Sequence, residues 1–413
     1  MPQPLALIQL ISEQTMQNLL PLLALKPAKV FHLATPRTAA RSAYILEAAR
    51  QASVETTRED VRLTEMPSIP ETSRAVIRAM QEAKADALAP VVNFTGGTKL
   101  MSIGAYEAAL REESVSLYVD TDHRQFIDGH TGPKLNSVLG DDFSFTPHQK
   151  ALTVNPIAAA NGRQRVTGGR DWKPYLRLAR HLLEHQHHEE EAWCATHGSK
   201  GLCPNGREPR RADDWLPLFD KPWLLPPRVG ELALEAGLAR AHGAALYLPA
   251  TTRPDLEELA QTERPEPQEY FDAVRPLQFA LAFLSGGWWE VAVVDAASRS
   301  GQFRDLRWSV NIGERRGGFD LEEDIVGVDG VQIAYFCCKR GGLKARLVPL
   351  LDELDNRART IGGRFTRRFL AVYQTPTAQN AASLQRRANE LNGIEIVTPS
   401  DLEALEVFAC RRS

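Results

Sequence analysis

The sequence is poor in several features that would assign it to a particular class of protein. Five cysteines in 413 residues are too few and too scattered for a disulfide framework, and they are typical of reduced thiols in a cytoplasmic protein. The 49 basic and 52 acidic residues leave a formal charge of −3, which excludes a protein that coats nucleic acid through net charge alone. Residues 1–11 have no basic region, and Gln9 and Ser12 break their apolar run, so we expect neither a signal peptide nor a membrane span.

The length and the ordinary globular composition predict two or three domains, since a domain usually takes about 100 to 200 residues. In residues 1–145, short apolar runs alternate with amphipathic stretches, which predicts a parallel, doubly wound α/β sheet. The strands are expected at 5–11, 29–34, 61–65, 89–94 and 115–119, and the helices at 15–23, 38–52, 70–84 and 98–112.

The pattern weakens over residues 146–265, where proline, glycine and histidine are frequent. We expect a small helical or winged-helix region there, ending in a linker, and we interpret the histidines between 181 and 197 as a polar surface loop rather than a zinc site. Clear alternation returns over residues 266–413. Strands at 308–312, 323–328 and 331–338, a long helix ended by Gly362 and Gly363, and a further strand, helix and strand predict a second α/β domain.

A glycine-rich turn follows the fourth predicted strand. The segment Asn93-Phe94-Thr95-Gly96-Gly97-Thr98-Lys99 passes from a buried strand into a helix. Two glycines let the backbone approach a ligand closely, and a helix start with a lysine favours an anion. The spacing is that of neither a Walker loop nor a dinucleotide fingerprint. A plain turn with a helix cap is the alternative.

Two other polar turns should lie beside it. Ser12 to Thr15 follow the first strand and Thr35 to Thr38 follow the second, and parallel strands bring their carboxyl ends to one edge of the sheet. Three polar turns at one edge suit an anionic, hydrogen-bonding ligand such as a nucleotide or an oligonucleotide.

The residues over 4–130 resemble the CRISPR-associated Rossmann fold (CARF) domain of effectors activated by cyclic oligoadenylate. The segments LIQLISEQTMQNLLPLLALKPAKVFHLATPRT and VVNFTGGTKLMSIGAYEAAL carry the resemblance. It implies that two protomers share one adenylate ring, with cyclic tetra-adenylate favoured, and that the ring contacts come from the strand-end turns. By position these contacts are Ser12, Gln14, Thr15, Thr35, Arg37, Thr95, Gly96, Gly97, Thr98 and Lys99.

The last domain carries two acids and a lysine in a suggestive order: Glu290 in GGWWE, Asp324 in LEEDIVGVD and Lys339 in AYFCCK. Alternate residues of a strand share a face, so Cys337 and Lys339 should point together, and Asp324 could lie beside them on a neighbouring strand. This layout resembles the restriction-endonuclease-like PD-(D/E)xK core. The resemblance implies that Glu290 and Asp324 hold Mg²⁺ or Mn²⁺ and that Lys339 assists the attacking water or stabilises developing charge. A surface ion pair between Asp324 and Lys339 is the plain alternative.

The chain departs from that pattern at one position, because Cys337 stands where the family has a glutamate. A thiol is a poor ligand for hard Mg²⁺. Three explanations stay open: a weakened or Mn²⁺-dependent nuclease, a site that recruits another acid such as Glu322 or Asp329, and a domain that has lost catalysis.

The domain order over nearly the whole chain resembles the CRISPR ancillary nucleases that join a CARF domain to a nuclease core. We therefore expect a homodimeric, cytoplasmic, metal-dependent endonuclease that cyclic oligoadenylate activates in type III CRISPR antiviral defence. Its substrate would be RNA, DNA or both. Two alternatives remain: a CARF sensor without catalysis, and a ring-cleaving phosphodiesterase working at Lys99 and the Thr35 turn.

Overall fold

The computed structural model describes residues 3–185, 215–216, 218, 222–249, 253–261, 267–313, 321–340, 347–374, 378–391 and 393–403. Two six-stranded sheets and one two-stranded hairpin organise these residues. The chain is thus mixed α/β in both halves, as the sequence predicts.

The first sheet comprises strands β1 (Leu5–Leu10), β2 (Lys29–Ala34), β3 (Thr57–Arg62), β4 (Ala89–Asn93), β5 (Val115–Asp120) and β6 (Gln125–Asp128). Their order is β3-β2-β1-β4-β5-β6. The first five strands run parallel and β6 is antiparallel at the edge. The order reverses between β1 and β4, and such a switch point opens a crevice at the carboxyl ends of the strands.

Helices cover both faces of this sheet: α1 (Met16–Leu25), α2 (Ala39–Gln51), α3 (Ile69–Ala85) and α4 (Lys99–Arg111). Helices α1 and α2 pack on one face with Leu7, Val30 and Val91. Helices α3 and α4 pack on the other with Ile8, Phe31 and Val92. The alternation of β1, β2 and β4 between two cores confirms the doubly wound sheet.

Two strands of the first sheet differ from the prediction. Strand β3 lies about four residues earlier than expected, because TREDVR is an exposed edge strand whose charged residues carry no apolar signal. Strand β6 is short and half exposed, and it is not among the strands predicted from the sequence.

The later strands are β7 (Arg165–Arg170), β8 (Arg240–His242), β9 (Ala245–Tyr247), β10 (Arg304–Gly313), β11 (Leu321–Asp329), β12 (Gln332–Lys339), β13 (Arg367–Val372) and β14 (Glu395–Val397). The later helices are α5 (Asn136–Leu139), α6 (Val154–Ala160), α7 (176–185), α8 (Pro227–Glu235), α9 (Arg253–Gln261), α10 (Pro267–Ala282), α11 (Trp288–Arg299), α12 (Leu347–Gly362) and α13 (Ala378–Glu390). The second sheet has the order β14-β13-β12-β11-β10-β7, and β8 pairs with β9 as a hairpin.

Strand β7 shows that the second sheet begins well before residue 266. It pairs antiparallel with β10, Trp308 lying opposite Arg170. The sequence RVTGGR has no strand-like apolar alternation, which is why the prediction assigns it to the middle region. Helix α7, helix α8 and the β8–β9 hairpin occupy that region, while most of the histidine-rich stretch lies outside the described residues.

Helix α6 joins the two halves into one packed body. Its buried residues belong to a core that runs from Leu7 in the first sheet to Val310 in the second. Asp305 accepts a hydrogen bond from the Val154 backbone N–H at 2.7 Å, which ties the start of α6 to β10.

Among the residues that the structure describes, the helical run Asp272–Arg299 is long and apolar enough to cross a membrane, with a mean hydropathy of 1.4 in its most apolar window. Leu277, Phe283, Trp288 and Trp289 within it are buried against the second sheet. Burial in that core explains the apolar composition.

Candidate functional site

The turns after β1, β2 and β4 meet at one edge of the first sheet, as predicted. The Arg37 guanidinium donates to Glu13 at 2.6 Å, which links the β2 turn to the β1 turn. Gly96 lies directly against the end of β1, since a Cβ atom there would come within 2.1 Å of the Leu10 carbonyl oxygen. The glycine is therefore required by a close backbone approach.

Hydrogen bonds within the chain hold the hydroxyl of Thr95. It donates to Asn93 Oδ1 at 2.7 Å and accepts the Val119 backbone N–H at 2.7 Å. Asn93 Oδ1 also accepts the backbone N–H of Thr95. The side chain and the backbone N–H of Thr95 are thus both used to shape the turn.

The next residues begin helix α4 at the same edge. Gly97 has a φ of +75°, a conformation that favours glycine. The Thr98 hydroxyl caps the helix by accepting the Met101 backbone N–H. Lys99 and Thr98 are exposed, so a cation and a helix start with its positive dipole end face the crevice.

The remaining predicted contacts differ in accessibility. Ser12 and Gln14 are half-buried, and the Ser12 hydroxyl accepts the Gln14 backbone N–H. Thr15 is buried and donates to Asn161, and Thr35 is buried beside Thr38. The geometry leaves Arg37, Thr98, Lys99 and the turn backbones as the groups most open to a ligand.

The second cluster lies where β11 and β12 separate. The last paired residues before the fork are Ile325 and Phe336. Beyond them the Asp324 carboxylate accepts the Cys338 backbone N–H at 2.7 Å, in place of a strand-to-strand bond. Asp324 Oδ2 also lies 3.8 Å from Lys339 Nζ, so the predicted acid and lysine do meet.

Glu290 reaches the same fork from helix α11. Trp308 Nε1 donates to its Oε2 at 2.8 Å. Burial first, and then the charge of Asp324, raise the pKa of Glu290 to about 8. Burial likewise raises the pKa of Asp324, although Lys339 and the Cys338 N–H oppose the rise. Burial and mutual repulsion disfavour ionisation of both carboxyls at once, and a bound cation would stabilise the doubly ionised pair.

Cys337 and Lys339 share one face of β12, as alternation predicts, and Cys338 faces the opposite core. Burial, followed by the charge of Asp324, raises the pKa of the Cys337 thiol to about 12. Burial alone would lower the pKa of the Lys339 ammonium. The acidic groups around it, first Cys337 and then Asp324, outweigh burial and raise that pKa. At neutral pH the position that a third carboxylate would fill therefore holds a neutral thiol.

The donor set fits a hard divalent cation held by two carboxylates. Within the described part of the chain, no group of three or more His, Cys, Asp or Glu residues is arranged to hold a metal. Mg²⁺ is commonly bound by one or two carboxylates, with water and substrate phosphate completing its shell. Glu290 and Asp324 provide that minimum. Of the alternative acids, Asp329 pairs with Arg367 at the far end of β11. Glu322 is exposed and accepts from Ser309, but its charge also raises the pKa values of Glu290 and Asp324, so it lies near the metal position.

Two neighbours of the sites do not emerge from sequence patterns. Trp308 binds Glu290 only because β10 lies against α11, a contact between distant segments. Asn93 stands in the glycine-rich motif, yet its role depends on the position of Thr95. In addition, several arginines of residues 339–368 are already paired: Arg357 with Glu323, Arg359 with Asp355, and Arg367 with Glu395. These ion pairs reduce the basic surplus that the sequence indicates for a polyanion.

Comparisons with known proteins identify a similar domain and similar folds. Residues 6–133 match the family model described as the Card1 CARF domain. The fold is similar to that of protein VC1899 from Vibrio cholerae, with a TM-score of 0.69 and 13 % identity over 98 % of this chain and 96 % of that one. It is also similar to Can2 from Sulfobacillus thermosulfidooxidans, solved in complex with cyclic tetra-adenylate, with a TM-score of 0.64 and 17 % identity over 98 % of each chain. Nothing among the curated proteins matches the sequence.

Proposed function

We propose that this chain, whose residues 6–133 form a CARF domain of the Card1 type, is a nuclease that cyclic oligoadenylate activates in type III CRISPR defence. One observation carries the proposal: Glu290, Asp324 and Lys339 converge at the β11–β12 fork of a chain that also has a CARF domain. The whole-chain fold similarity to Can2, solved with cyclic tetra-adenylate, supports that ring as the activator.

The ring would lie at the β1–β4 switch point. Arg37, Lys99 and the start of α4 supply positive charge for its phosphates, and the backbone at Gly96 and Gly97 can approach it closely. A ring of even symmetry suits a two-fold dimer. An exposed apolar stripe on α4, formed by Leu100, Ile103 and Leu110, supports a homodimer next to this edge. The chain would work in the cytoplasm.

At the fork, Glu290 and Asp324 would hold Mn²⁺ or Mg²⁺. When bound, the metal would supply Lewis acidity and an activated water. Lys339, 3.8 Å from Asp324, would orient that water or stabilise charge on the scissile phosphate of RNA or DNA. Trp308 fixes the Glu290 carboxylate through its hydrogen bond. Cys337 stays neutral and supplies no charge to the site.

The test is cleavage of labelled single-stranded RNA and DNA, with and without cyclic tetra-adenylate, in Mg²⁺ and separately in Mn²⁺. We expect ring-dependent cutting that Lys339→Ala abolishes. The matched control is Lys173→Ala, which removes an exposed lysine of the same half of the chain and should cut like wild type. Cutting by Lys339→Ala at the wild-type rate would contradict the assignment of the site.

A catalytically lapsed sensor is the second candidate, and the neutral thiol at Cys337 favours it. In that case wild type binds the ring but is silent in both metals, while Cys337→Glu restores cutting. Consumption of the ring in the absence of metal, lost in Lys99→Ala, would instead support a ring-cleaving phosphodiesterase.

A further inference from the structure

A row of buried polar side chains crosses the first sheet directly beneath the candidate ring-binding edge. Gln9, His32 and Asn93 are fully buried, each on a different strand of the sheet's centre. They stand side by side, since Gln9 is opposite both His32 and Asn93. Asp60 lies opposite His32 on the exposed edge strand β3 and completes the row.

Hydrogen bonds join this row into one continuous chain. Asn93 Nδ2 donates to Gln9 Oε1 at 3.4 Å, and Gln9 Nε2 lies 2.9 Å from His32 Nε2. His32 Nδ1 lies 2.7 Å from the hydroxyl of Ser42 on α2, which donates to Asp60 at 2.5 Å. At its other end, Asn93 holds the Thr95 turn through the two bonds described above.

The hydrogen bonds of this row all run in one direction, because the donor in each bond determines the donor in the next. Asp60 accepts from Ser42, so Ser42 accepts from His32, and His32 must carry its proton on Nδ1. His32 Nε2 is then an acceptor, which orients the Gln9 amide with its NH₂ group toward the imidazole. The Gln9 oxygen consequently faces Asn93 Nδ2, which also donates to the backbone carbonyl of Gln17 on α1 at 2.9 Å. Asn93 Oδ1 is left for Thr95.

Burial keeps the imidazole in the form that this direction requires. Burial lowers the pKa of His32 to about 3, so the imidazole is neutral at physiological pH. The order of side chains also excludes a Ser-His-Asp nucleophile, since Ser42 lies between His32 and Asp60 and is 1 % exposed.

Polar groups in this position carry a cost that apolar residues would avoid. A buried polar group is tolerated only when hydrogen-bonded, and aliphatic side chains at 9, 32 and 93 would pack without that requirement. The row lies just before the strand ends that lead into the Ser12, Thr35 and Thr95 turns. Outside the sheet's interior, Asn93 binds the Thr95 turn through Oδ1 and the backbone carbonyl of Gln17 on α1 through Nδ2.

We propose that Asp60, Ser42, His32 and Gln9 are positioning residues that act through Asn93 to hold the Thr95 turn in its ligand-binding geometry. The proposal rests on the proposed function of that edge. Asp60 lies three strands from β4, about 14 Å at the usual strand spacing, so it reaches the Thr95 turn only through the chain of hydrogen bonds.

The experiment measures the affinity of the full-length protein for cyclic tetra-adenylate in Asp60→Ala, Asp60→Asn and Ser42→Ala. We expect Asp60→Ala and Ser42→Ala to weaken binding about tenfold, because breaking one link of a buried network costs on the order of one hydrogen bond. Asp60→Asn retains an oxygen that accepts from Ser42, so it should bind within about twofold of wild type.

The matched control is Thr131→Val. Its buried hydroxyl also makes two hydrogen bonds, to Ser114 and Ser116 at the other side of the sheet. It should lose comparable stability and keep its affinity for the ring. Wild-type affinity in both Asp60→Ala and Ser42→Ala, or equal weakening in Thr131→Val, would overturn the proposal.

A ligand-free measurement separates this proposal from the proposed function. Histidine ¹⁵N spectra should show His32 as the neutral Nδ1–H tautomer in wild type and a tautomer mixture in Ser42→Ala, with His32→Gln identifying the signal. If wild type binds no ring, the proposed function is wrong. An Nε2–H tautomer in wild type would overturn the direction of the chain and with it the positioning role.

Discussion

Replacing Glu290 by glutamine tests the electrostatics of the candidate metal site most directly. Glutamine keeps an oxygen that accepts from Trp308 Nε1 and removes only the charge. Glu290 has a pKa of about 8 where an ordinary glutamate has 4.5. Between these values the unfolded chain ionises and the folded chain does not, so metal-free wild type loses stability as the pH rises from about 4.5 to 8.

The magnitude follows from the width of that window. Each pH unit within it costs up to about 1.4 kcal/mol, so the full loss is at most about 5 kcal/mol. Sharing of the remaining proton with Asp324 reduces this figure, and we expect Glu290→Gln to be about 2 to 4 kcal/mol more stable than wild type at pH 8. At pH 5 the difference should fall to about 1 kcal/mol or less.

The assay is urea unfolding followed by tryptophan fluorescence in EDTA at pH 5, 6, 7 and 8. All seven tryptophans lie between residues 172 and 308, so the signal reports the half of the chain that contains the fork. Adding Mn²⁺ should stabilise wild type at pH 8 and leave Glu290→Gln nearly unchanged. A difference between the two proteins that does not vary with pH would refute the reasoning.

Three further outcomes follow from the same contacts. Gly96→Ala places a Cβ atom 2.1 Å from the Leu10 carbonyl oxygen, so we expect ring binding to be lost and the thermal midpoint of unfolding, followed by circular dichroism, to fall; an unchanged midpoint would contradict the close approach of Gly96 to β1. Lys99→Ala should weaken ring binding about three- to tenfold with a shallower dependence on salt, and an unaltered salt dependence in titrations would place Lys99 away from the phosphates. Trp308→Phe removes the hydrogen bond that lowers the pKa of Glu290, so the pH–rate profile of cleavage should move to higher pH, and an unmoved profile would contradict this role.

The sequence predicts the first sheet well because its strands carry the signals that burial imposes. Strands β1, β2 and β4 are buried on both faces and read as apolar runs, and the Gly96–Gly97 turn stands out because only glycine fits it. Strands β3 and β7 are exposed edges of their sheets. Their side chains are mostly in contact with solvent and not with a core, so their sequences carry no apolar periodicity from which a strand could be predicted.

The contacts of the candidate sites likewise divide into local ones, which the sequence predicts, and contacts between distant segments, which it does not. Contacts within one turn, such as Thr98 capping its own helix, follow from local sequence. The row from Asp60 to Asn93 does not. Gln9, His32 and Asn93 are isolated buried polar residues in largely apolar strands, and only the register of four strands shows that they and Asp60 lie side by side. The Trp308–Glu290 bond likewise joins a helix to a strand that bends at Ser309, whose φ is +53°.

Cys337 shows how the environment of a position can explain an unexpected residue. Its side chain is 6 % exposed and lies near the carboxyl of Asp324, whose pKa is already raised, as is that of Glu290. A glutamate at 337 would add a third buried acid, which costs stability unless a cation is bound. We therefore expect Cys337→Glu to lower the stability of the metal-free protein by about 1 to 3 kcal/mol and to tighten Mg²⁺ binding, measured by calorimetry, about tenfold. Cys337→Gln, which adds the same bulk without charge, is the control: if it tightens Mg²⁺ binding equally, the missing carboxylate does not explain the neutral thiol.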